Sequence, residues 1–566
     1  MTLPTPAIVS QNAVRRLPRL ALLLFCLAYI VPGFVGRSPW KTADLTSFGI
    51  MSSLAQGHTS WLAPQMVGTT VDTDALLPHW IGAWSIQLFS GYVPIELAAR
   101  LPFLLLLIVT LAATWYGTYH LARSERAQPV AFAFGGEASP TDYARSIADG
   151  AVLALIASLG LAQLSHEVSP AQVQLACAAL LFYAVAALPF KLGLPMVTAT
   201  VSLAGLTLSG APSLALVFGA GACAVLLVDP KTAWTRQQAL GRVLYLVLLT
   251  AFLAVLASQL HLWRWRISLP DGSLVKWASL GRLLLWFTWP AGALAVWTLW
   301  HWRRQWWSRA PSLHLAWPLL LVTASIITTM STAAGDRSLL LALPALAALA
   351  AFALPTLGRS IGALVDWFTL LFFSGSAIVV WVVWIAMQTG IPSQPAANVA
   401  RLAPGFTPSF STLSFLMALA ATLAWAWLVS WRVGRHRAAI WKSLVLPAGG
   451  VALCWLLLMT LWLPLLDYAR SNQSLVKQIV DRVGDAPCVE VSQLRPEQVA
   501  ALQFHSTLPL RVANAQSVQC PWLLVNPNFS AAGVSVMASG HWSLSARVNH
   551  PMDRANALWL LKAVKP

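Results

Sequence analysis

Residues 97–122 read LAARLPFLLLLIVTLAATWYGTYHLA, an apolar stretch with a single charged side chain, Arg100. About 20 consecutive apolar residues cross the hydrocarbon core of a bilayer as a helix. Hydrophobic residues make up 58% of the 566 residues and charged residues only 10%, whereas soluble domains have about 25% charged residues. The sequence therefore predicts an α-helical polytopic membrane protein.

Similar apolar stretches recur along the chain, and we predict about 13 membrane-spanning helices. The first follows three arginines and has no small-residue cleavage site, so we expect it to remain as an anchor. The predicted spans lie near residues 17–36, 97–122, 148–164, 171–188, 193–209, 212–228, 243–262, 283–301, 312–330, 338–354, 363–388, 411–431 and 443–466.

Basic residues orient these helices. With the N-terminus inside, the inner loops hold 18 Lys and Arg residues and the short outer loops nine, which agrees with the positive-inside rule. An odd number of spans then places the C-terminal region outside, in the periplasm of a bacterial inner membrane. The net charge of +17 is thus explained by membrane topology, and we expect no nucleic-acid partner.

The composition changes at Asp467, where short strands alternate with polar helices. This alternation is typical of a small α/β domain. It divides the chain into a transmembrane domain, 1–466, and a C-terminal periplasmic α/β domain, 467–566. Cys488 and Cys520 are candidates for a disulfide, because the periplasm is oxidising. We predict helices over 471–485 and 495–504, and strands over 488–491, 509–512, 522–525, 542–548 and 558–564.

The first outer loop, residues 37–97, contains Asp44, Asp72 and Asp74 in a protein with only 19 acidic residues. Carboxylates that are scarce elsewhere and cluster beside a membrane span favour a site that uses them. Asp44 is a candidate general base or a helix cap. Asp72 and Asp74 are candidates for catalysis, for substrate contact or for a divalent cation, and otherwise belong to a solvated turn.

The same loop carries a longer motif. It reads Gly57-x3-Trp61-Leu62-x-Pro64-x3-Gly68, then His79-Trp80, and ends in Ala98-Ala99-Arg100-Leu101-Pro102. Together with Asp44, this motif resembles the first periplasmic loop of the C-type membrane glycosyltransferases. The closest in kind are the lipid A aminoarabinose transferases and the protein O-mannosyltransferases. The motif covers about the first 120 residues, and the later chain is similar mainly in topology.

The resemblance implies that Asp44 is the general base and that the donor is a sugar on a polyprenyl phosphate. It also implies that Arg337, followed by Leu343-Pro344, contacts the lipid phosphate. Relatives carry Glu, Arg and Tyr after the aspartate, where this chain has other residues, and a Lys near the position of Asp74. These departures put lipid A as the substrate in doubt. The residues that differ are Leu45, Ser47 and Phe48.

Outer-loop cations suit an anionic lipid, because arginine donates two parallel hydrogen bonds to a phosphate. Alternatively, Arg264 and Arg266 only anchor to headgroups, and Arg337 pairs with Asp336. Trp40 and Trp61 are candidates for stacking on a sugar ring. The expected substrate or lipid-phosphate contacts are Lys41, His58, His166, Glu167, Arg264, Arg266, Lys276, Arg282 and Arg337.

These patterns predict an inner-membrane glycosyltransferase that uses a polyprenyl-phosphate sugar and modifies an envelope acceptor at the periplasmic face, with inversion at the anomeric carbon. A divalent cation is the one cofactor left open. The alternatives are a transporter or flippase for a lipid-linked saccharide and a non-catalytic envelope assembly protein. A transporter would more naturally show ionisable residues within its spans and repeat symmetry.

Overall fold

The computed structural model describes residues 5–40, 42–71, 75–228, 236–264, 267–268, 273–307, 312–332, 335–433, 439–514, 518–527, 541–553 and 556–564. The chain is mostly helical. Its helices are α1 (Arg19–Ile30), α2 (Ala43–Ala55), α3 (Leu77–Phe89), α4 (Ile95–Ala122), α5 (Pro140–Ala157), α6 (Leu161–Leu164), α7 (Pro170–Ala187), α8 (Gly193–Leu208), α9 (Pro212–Val228), α10 (Arg236–Gln259), α11 (Leu274–Thr288), α12 (Ala291–His301), α13 (Arg303–Trp306), α14 (Leu313–Ser331), α15 (Gly335–Leu340), α16 (Leu343–Ala353), α17 (Arg359–Thr389), α18 (Ser393–Leu402), α19 (Thr412–Val433), α20 (Val445–Leu458), α21 (Leu463–Arg470), α22 (Gln473–Val483) and α23 (Pro496–His505). Its strands are β1 (Gln65–Met66), β2 (Thr69–Thr70), β3 (Val489–Ser492), β4 (Leu510–Val512), β5 (Trp522–Val525), β6 (Trp542–Asn549) and β7 (Ala557–Ala563).

Seven helices in the described part of the chain are long and apolar enough to cross a membrane. The pair α11 and α12, bent by 89°, gives an eighth if it forms one span, and four further apolar helices are shorter. The predicted fold class is confirmed, whereas the number of 13 spans stays a prediction. The seven are α4, α7, Leu240–Gln259 of α10, α14, α17, α19 and Ile440–Leu458.

The chain forms two compact units. The first comprises residues 1–33, 103–378 and 415–460, and the second comprises residues 34–102, 379–414 and 461–566. The predicted domain boundary at Asp467 stays a prediction, since the second unit combines the first outer loop with the C-terminal region.

In the first unit, α5 packs against α16 and α20, and α16 packs against α12. Every residue of α16 is buried, as expected for a helix that is apolar all round. Small residues allow the close approach of these helices. A Cβ added at Gly150 of α5 would lie 2.5 Å from the Leu354 side chain.

The break between α11 and α12 occurs at Pro290, which has no N–H to continue a helix. Two carbonyl groups released there accept backbone hydrogen bonds from the chain that follows α5. Leu159 N donates to Trp289 O at 3.1 Å, and Gly160 N donates to Phe287 O at 2.9 Å. Non-helical backbone is tolerated at membrane depth when its polar groups are satisfied in this way.

In the second unit, the C-terminal sheet has the strand order β4-β3-β5-β7-β6. β3 runs parallel to β4 and β5, and β7 runs antiparallel to β5 and β6. The strands and the helices α22 and α23 begin and end within two residues of the predicted ones. A disulfide joins Cys488 to Cys520, next to the starts of the neighbouring strands β3 and β5.

The first outer loop and the C-terminal elements share one hydrophobic core. Leu45, Ile50 and Leu54 of α2 are at most 1% exposed and belong to the same cluster as residues of α22, α23, β3 and β5. The contact of α2 with α23 is so close that a Cβ added at Gly49 would lie 2.5 Å from Ala500 Cβ. The helix that carries Asp44 is therefore supported by the C-terminal α/β elements.

Candidate active site

Asp44 lies in the first turn of α2 and is 2% exposed. A carboxylate is favoured in that turn by the partial positive charge of the helix N-terminus. Its Oδ2 accepts a hydrogen bond from Arg37 Nη1 at 2.6 Å and another from the Trp40 backbone N–H at 2.9 Å. Thr42 rather than Asp44 holds the N-cap position, so Asp44 is not the cap of this helix.

Two arginines hold this carboxylate in its ionised form. Burial would raise the pKa of Asp44, but the charges of Arg37 and Arg100 and the hydrogen bonds from Trp40 and Arg37 hold the pKa below its ordinary value. Arg100 is itself 2% exposed, and its Nη1 donates to the Arg37 carbonyl at 2.6 Å. Arg37 and Arg100 place two cations around one anion, so the site can receive a further negative group.

Two guanidinium groups lie close to the Trp40 ring. The Arg37 Cζ lies 4.8 Å from the centre of the Trp40 ring system, and the Arg470 Cζ lies 5.3 Å from it. Cations over an aromatic face are attracted by its quadrupole. Trp40 is 8% exposed, and its stacking on a sugar ring stays a prediction.

Trp61 also has an aromatic partner. Its ring stacks on Trp84 at a centroid distance of 5.9 Å, and its carbonyl accepts a hydrogen bond from Trp80 Nε1 at 2.8 Å. Trp84 is 51% exposed. A direct contact of Trp61 with a sugar stays a prediction.

Asp467, in α21, completes the surroundings of Trp40. Its Oδ1 accepts hydrogen bonds from Ser38 N and Trp40 Nε1, both at 2.8 Å. Its Oδ2 accepts from Ser38 Oγ at 3.0 Å. These bonds fix the segment from Arg37 to Trp40, which carries two of the groups that bind Asp44, the Arg37 guanidinium and the Trp40 backbone N–H.

In the first unit, the structure brings together Glu167 and Arg337, two residues expected to bind substrate. Arg337 Nη2 lies 3.2 Å from Glu167 Oε2, with the side chains 31% and 16% exposed. Asp336, the alternative partner for the guanidinium, instead accepts the backbone N–H of Arg337 at 2.9 Å. A partly exposed arginine that is oriented by a carboxylate is suited to bind a phosphate.

His166 is 1% exposed. Its Nε2 lies 3.1 Å from the Tyr29 carbonyl oxygen, and its ring packs 4.7 Å from the Trp455 ring. These contacts give His166 a packing role, and its direct contact with a sugar stays a prediction.

The remaining predicted residues fall into two groups. His58, Arg264, Lys276 and Arg282 are exposed, and their roles stay predictions. Lys41, Asp72, Asp74 and Arg266 lie outside the described residues, so the proposed cation at Asp72 and Asp74 stays a prediction as well. Among the residues that the structure describes, no three His, Cys, Asp or Glu side chains are arranged to hold a metal ion.

Sequence reasoning missed the four residues that surround Asp44 and Trp40. Arg37 stands at the start of the predicted first outer loop and Arg100 just beyond its end, where the positive-inside rule disfavours cations, and this signal could have identified both. Asp467 and Arg470 follow the last predicted span, and Asp467 served there only as the domain boundary. Their contact with Trp40 joins positions 427 or more residues apart.

A search among known proteins finds the fold but no sequence relative. No protein-family model matches the sequence, and no curated protein matches it. ArnT from Cupriavidus metallidurans, solved with undecaprenyl phosphate bound, superimposes with a TM-score of 0.60 at 14% identity, over 96% of this chain and 98% of that one. The apo form of ArnT gives a TM-score of 0.57 at 15% identity, over 96% of each chain. ArnT is a C-type glycosyltransferase, so the predicted resemblance is confirmed at the level of the fold.

Proposed function

We propose that this chain, which has the fold of ArnT, transfers a sugar from a polyprenyl phosphate to an envelope acceptor at the periplasmic face of a bacterial inner membrane. The observation that carries the proposal is the ionised Asp44, buried between Arg37 and Arg100 in the first outer loop. A carboxylate and cations in one water-poor site are the groups that this transfer requires.

The reaction is a single displacement. An acceptor hydroxyl attacks the anomeric carbon as its proton passes to the Asp44 carboxylate, and the bond from that carbon to the phosphate oxygen breaks. The electron pair leaves with the polyprenyl phosphate, which gains a negative charge as a phosphate monoester. One displacement inverts the anomeric carbon. Arginines stabilise the departing charge because their fork matches the phosphate oxygens.

Asp44 is engaged by Arg37 in the structure, so the base role includes a step in which this ion pair opens. The arriving phosphate competes with Asp44 for the Arg37 guanidinium. When Arg37 turns toward the phosphate, the Asp44 pKa rises, because burial is then less compensated. The donor thereby prepares Asp44 to accept a proton.

The donor lipid also needs an apolar surface. The first unit contains a cavity of about 480 Å³ between the α11–α12 break and α17, lined almost entirely by apolar side chains such as Trp286, Trp289 and Phe368. We assign part of the isoprenoid chain to this cavity. Ala293→Trp, which places a large ring at its wall, is expected to weaken binding of undecaprenyl phosphate.

The transfer is tested with Asp44→Asn, which keeps the side-chain shape and removes the base. Mass spectrometry of envelope extracts, from cells with and without the gene, identifies the gene-dependent product. We expect the variant to reduce that product by roughly 10²-fold or more, with folded protein still present in the membrane. Asp481→Asn, on the exposed face of α22, is the matched control. Wild-type product levels with Asp44→Asn refute the base role, and the absence of any gene-dependent product refutes the transferase.

Donor binding is tested with Arg337→Ala and purified protein in detergent. We expect the dissociation constant for undecaprenyl phosphate to rise by about tenfold or more, because a charged hydrogen bond contributes roughly 1.5–3 kcal/mol. Arg401→Ala is the matched control, since Arg401 lies in another outer segment and binds the Asn398 side chain. Equal affinities for the wild type and Arg337→Ala contradict the phosphate contact.

A further inference from the structure

Asp467 satisfies three donors of one short segment. Ser38 N, Ser38 Oγ and Trp40 Nε1 all point at its carboxylate, at 2.8–3.0 Å. Hydrogen bonds to an ionised acceptor are roughly twice as strong as those between neutral groups. The segment has no regular secondary structure of its own, so its conformation depends on this carboxylate.

Trp40 connects Asp467 to Asp44. Its indole N–H binds Asp467, and its backbone N–H binds Asp44 at 2.9 Å. Its ring carries the Arg37 guanidinium on one side and the Arg470 guanidinium nearby, at 4.8 and 5.3 Å. Arg37 in turn pairs with Asp44 at 2.6 Å. A displacement of Trp40 therefore changes both hydrogen bonds that Asp44 accepts from this segment.

We propose that Asp467 is a positioning residue for the Asp44 site. Its carboxylate, delivered by α21, orients Trp40, and Trp40 with Arg37 keeps Asp44 buried and correctly directed. This deepens the proposed function and rests on it only for the activity measurement. Asp467 acts through Ser38 and Trp40, which lie more than 420 positions earlier in the chain.

The proposal is tested by carboxyl footprinting of the full-length protein in detergent. A carbodiimide with glycine ethyl ester labels accessible Asp and Glu side chains, and peptide mass spectrometry measures the rate at each site. We expect Asp44 to be protected in the wild type, because it is 2% exposed. Asp467→Ala removes all three acceptor contacts, and Trp40→Phe removes one of them while keeping an aromatic ring.

We expect Asp44 to label at least about tenfold faster in Asp467→Ala, which loses three hydrogen bonds, and by a smaller factor in Trp40→Phe, which loses one. Asp485, which is exposed, is the internal reference in every sample, and Asp481→Ala is the control variant, in which we expect Asp44 to stay protected. If Asp467→Ala unfolds the protein and exposes every carboxylate, the labelling rate of Asp44 in Trp40→Phe becomes the test of the proposal. Unchanged labelling of Asp44 in a folded variant overturns the proposal.

Activity provides the second measurement. Asp467→Ala is expected to lower product formation in cells by about tenfold and to leave the affinity of the purified protein for undecaprenyl phosphate within twofold. A purely structural defect would lower product formation and the number of donor-binding sites per protein in parallel with the folded fraction, and that outcome counts against a positioning role. If the wild type forms no product, the proposed function is wrong. The footprinting experiment does not depend on activity and still tests whether Asp467 positions Asp44.

Discussion

The ion pair between Arg37 and Asp44 makes a quantitative prediction for Arg37→Ala. The two side chains are 3% and 2% exposed, and their N–O distance is 2.6 Å. Removing one partner of a buried pair typically costs 3–5 kcal/mol, because the other charge stays buried without compensation. Arg100 remains nearby, so we expect the lower end of this range, about 3 kcal/mol.

The loss of stability in Arg37→Ala should depend on pH. Without Arg37, burial raises the pKa of Asp44 in the folded state above its value in the unfolded chain. The unpaired carboxyl is then neutral and tolerated at low pH, and stability is lost as the pH rises through the new pKa. Each unit of pKa difference corresponds to about 1.4 kcal/mol, so the defect of Arg37→Ala grows between about pH 4 and pH 7.

The assay is thermal unfolding in detergent at several pH values, for the wild type, Arg37→Ala, Asp44→Asn and the double variant. The double variant has no carboxyl at position 44, so it should not show the loss of stability that Arg37→Ala shows above pH 4. Its decrease in the free energy of unfolding should also be smaller than the sum of the decreases in the two single variants. If Arg37→Ala and the double variant show the same pH dependence, the carboxyl is not the source of the defect, and the reasoning fails.

Three further predictions concern the stability of the second unit, and thermal unfolding in detergent measures each. Gly49→Ala should lower the free energy of unfolding by about 1–3 kcal/mol, because the new Cβ would lie 2.5 Å from Ala500. Gly91→Ala, at a position with open space around it, is the control. Equal effects of the two substitutions would contradict the close contact. His79 is 2% exposed, and burial lowers its pKa from 6.5 to about 4. Between pH 6.5 and pH 4 the unfolded chain therefore binds a proton that the folded chain does not, and the free energy of unfolding should fall by about 3 kcal/mol over this range. His79→Gln should remove this pH dependence. If the pH dependence persists in that variant, His79 is not its source. Replacing Cys488 and Cys520 by Ala should lower the free energy of unfolding by roughly 3–4 kcal/mol. If the unfolding temperature under oxidising conditions is the same for the wild type and this variant, the disulfide does not form.

Much of the fold could be predicted from the sequence, because the relevant signals are local. Long apolar stretches such as residues 363–388 and 411–431 become α17 and α19, and the strand pattern after Asp467 becomes the five-stranded sheet. The break at Pro290 was hidden, because the apolar stretch continues through it and hydrophobicity does not register a missing N–H.

The site could be predicted only in part. Asp44 was identified because acidic residues are scarce in this chain. Asp467 and Arg470 were not, because nothing in their own neighbourhood indicates a contact with Trp40. Such contacts follow from the packing of α2 on α23, and that packing depends on small residues, Gly49 and Ala500, whose meaning appears only when the two helices face each other.

The core shared by α2 and α23 has a consequence for biosynthesis. Roughly 450 residues separate Gly49 from Ala500, and at about 5–20 residues per second the ribosome needs on the order of half a minute or more to make them. During that interval α2 lacks the surface that buries Leu45, Ile50 and Leu54. Ribosomes that stop before α23 would release chains whose apolar face on α2 is uncovered, and such chains should be substrates for cellular proteases. Assembly of the Asp44 site is therefore among the last events in the maturation of this protein.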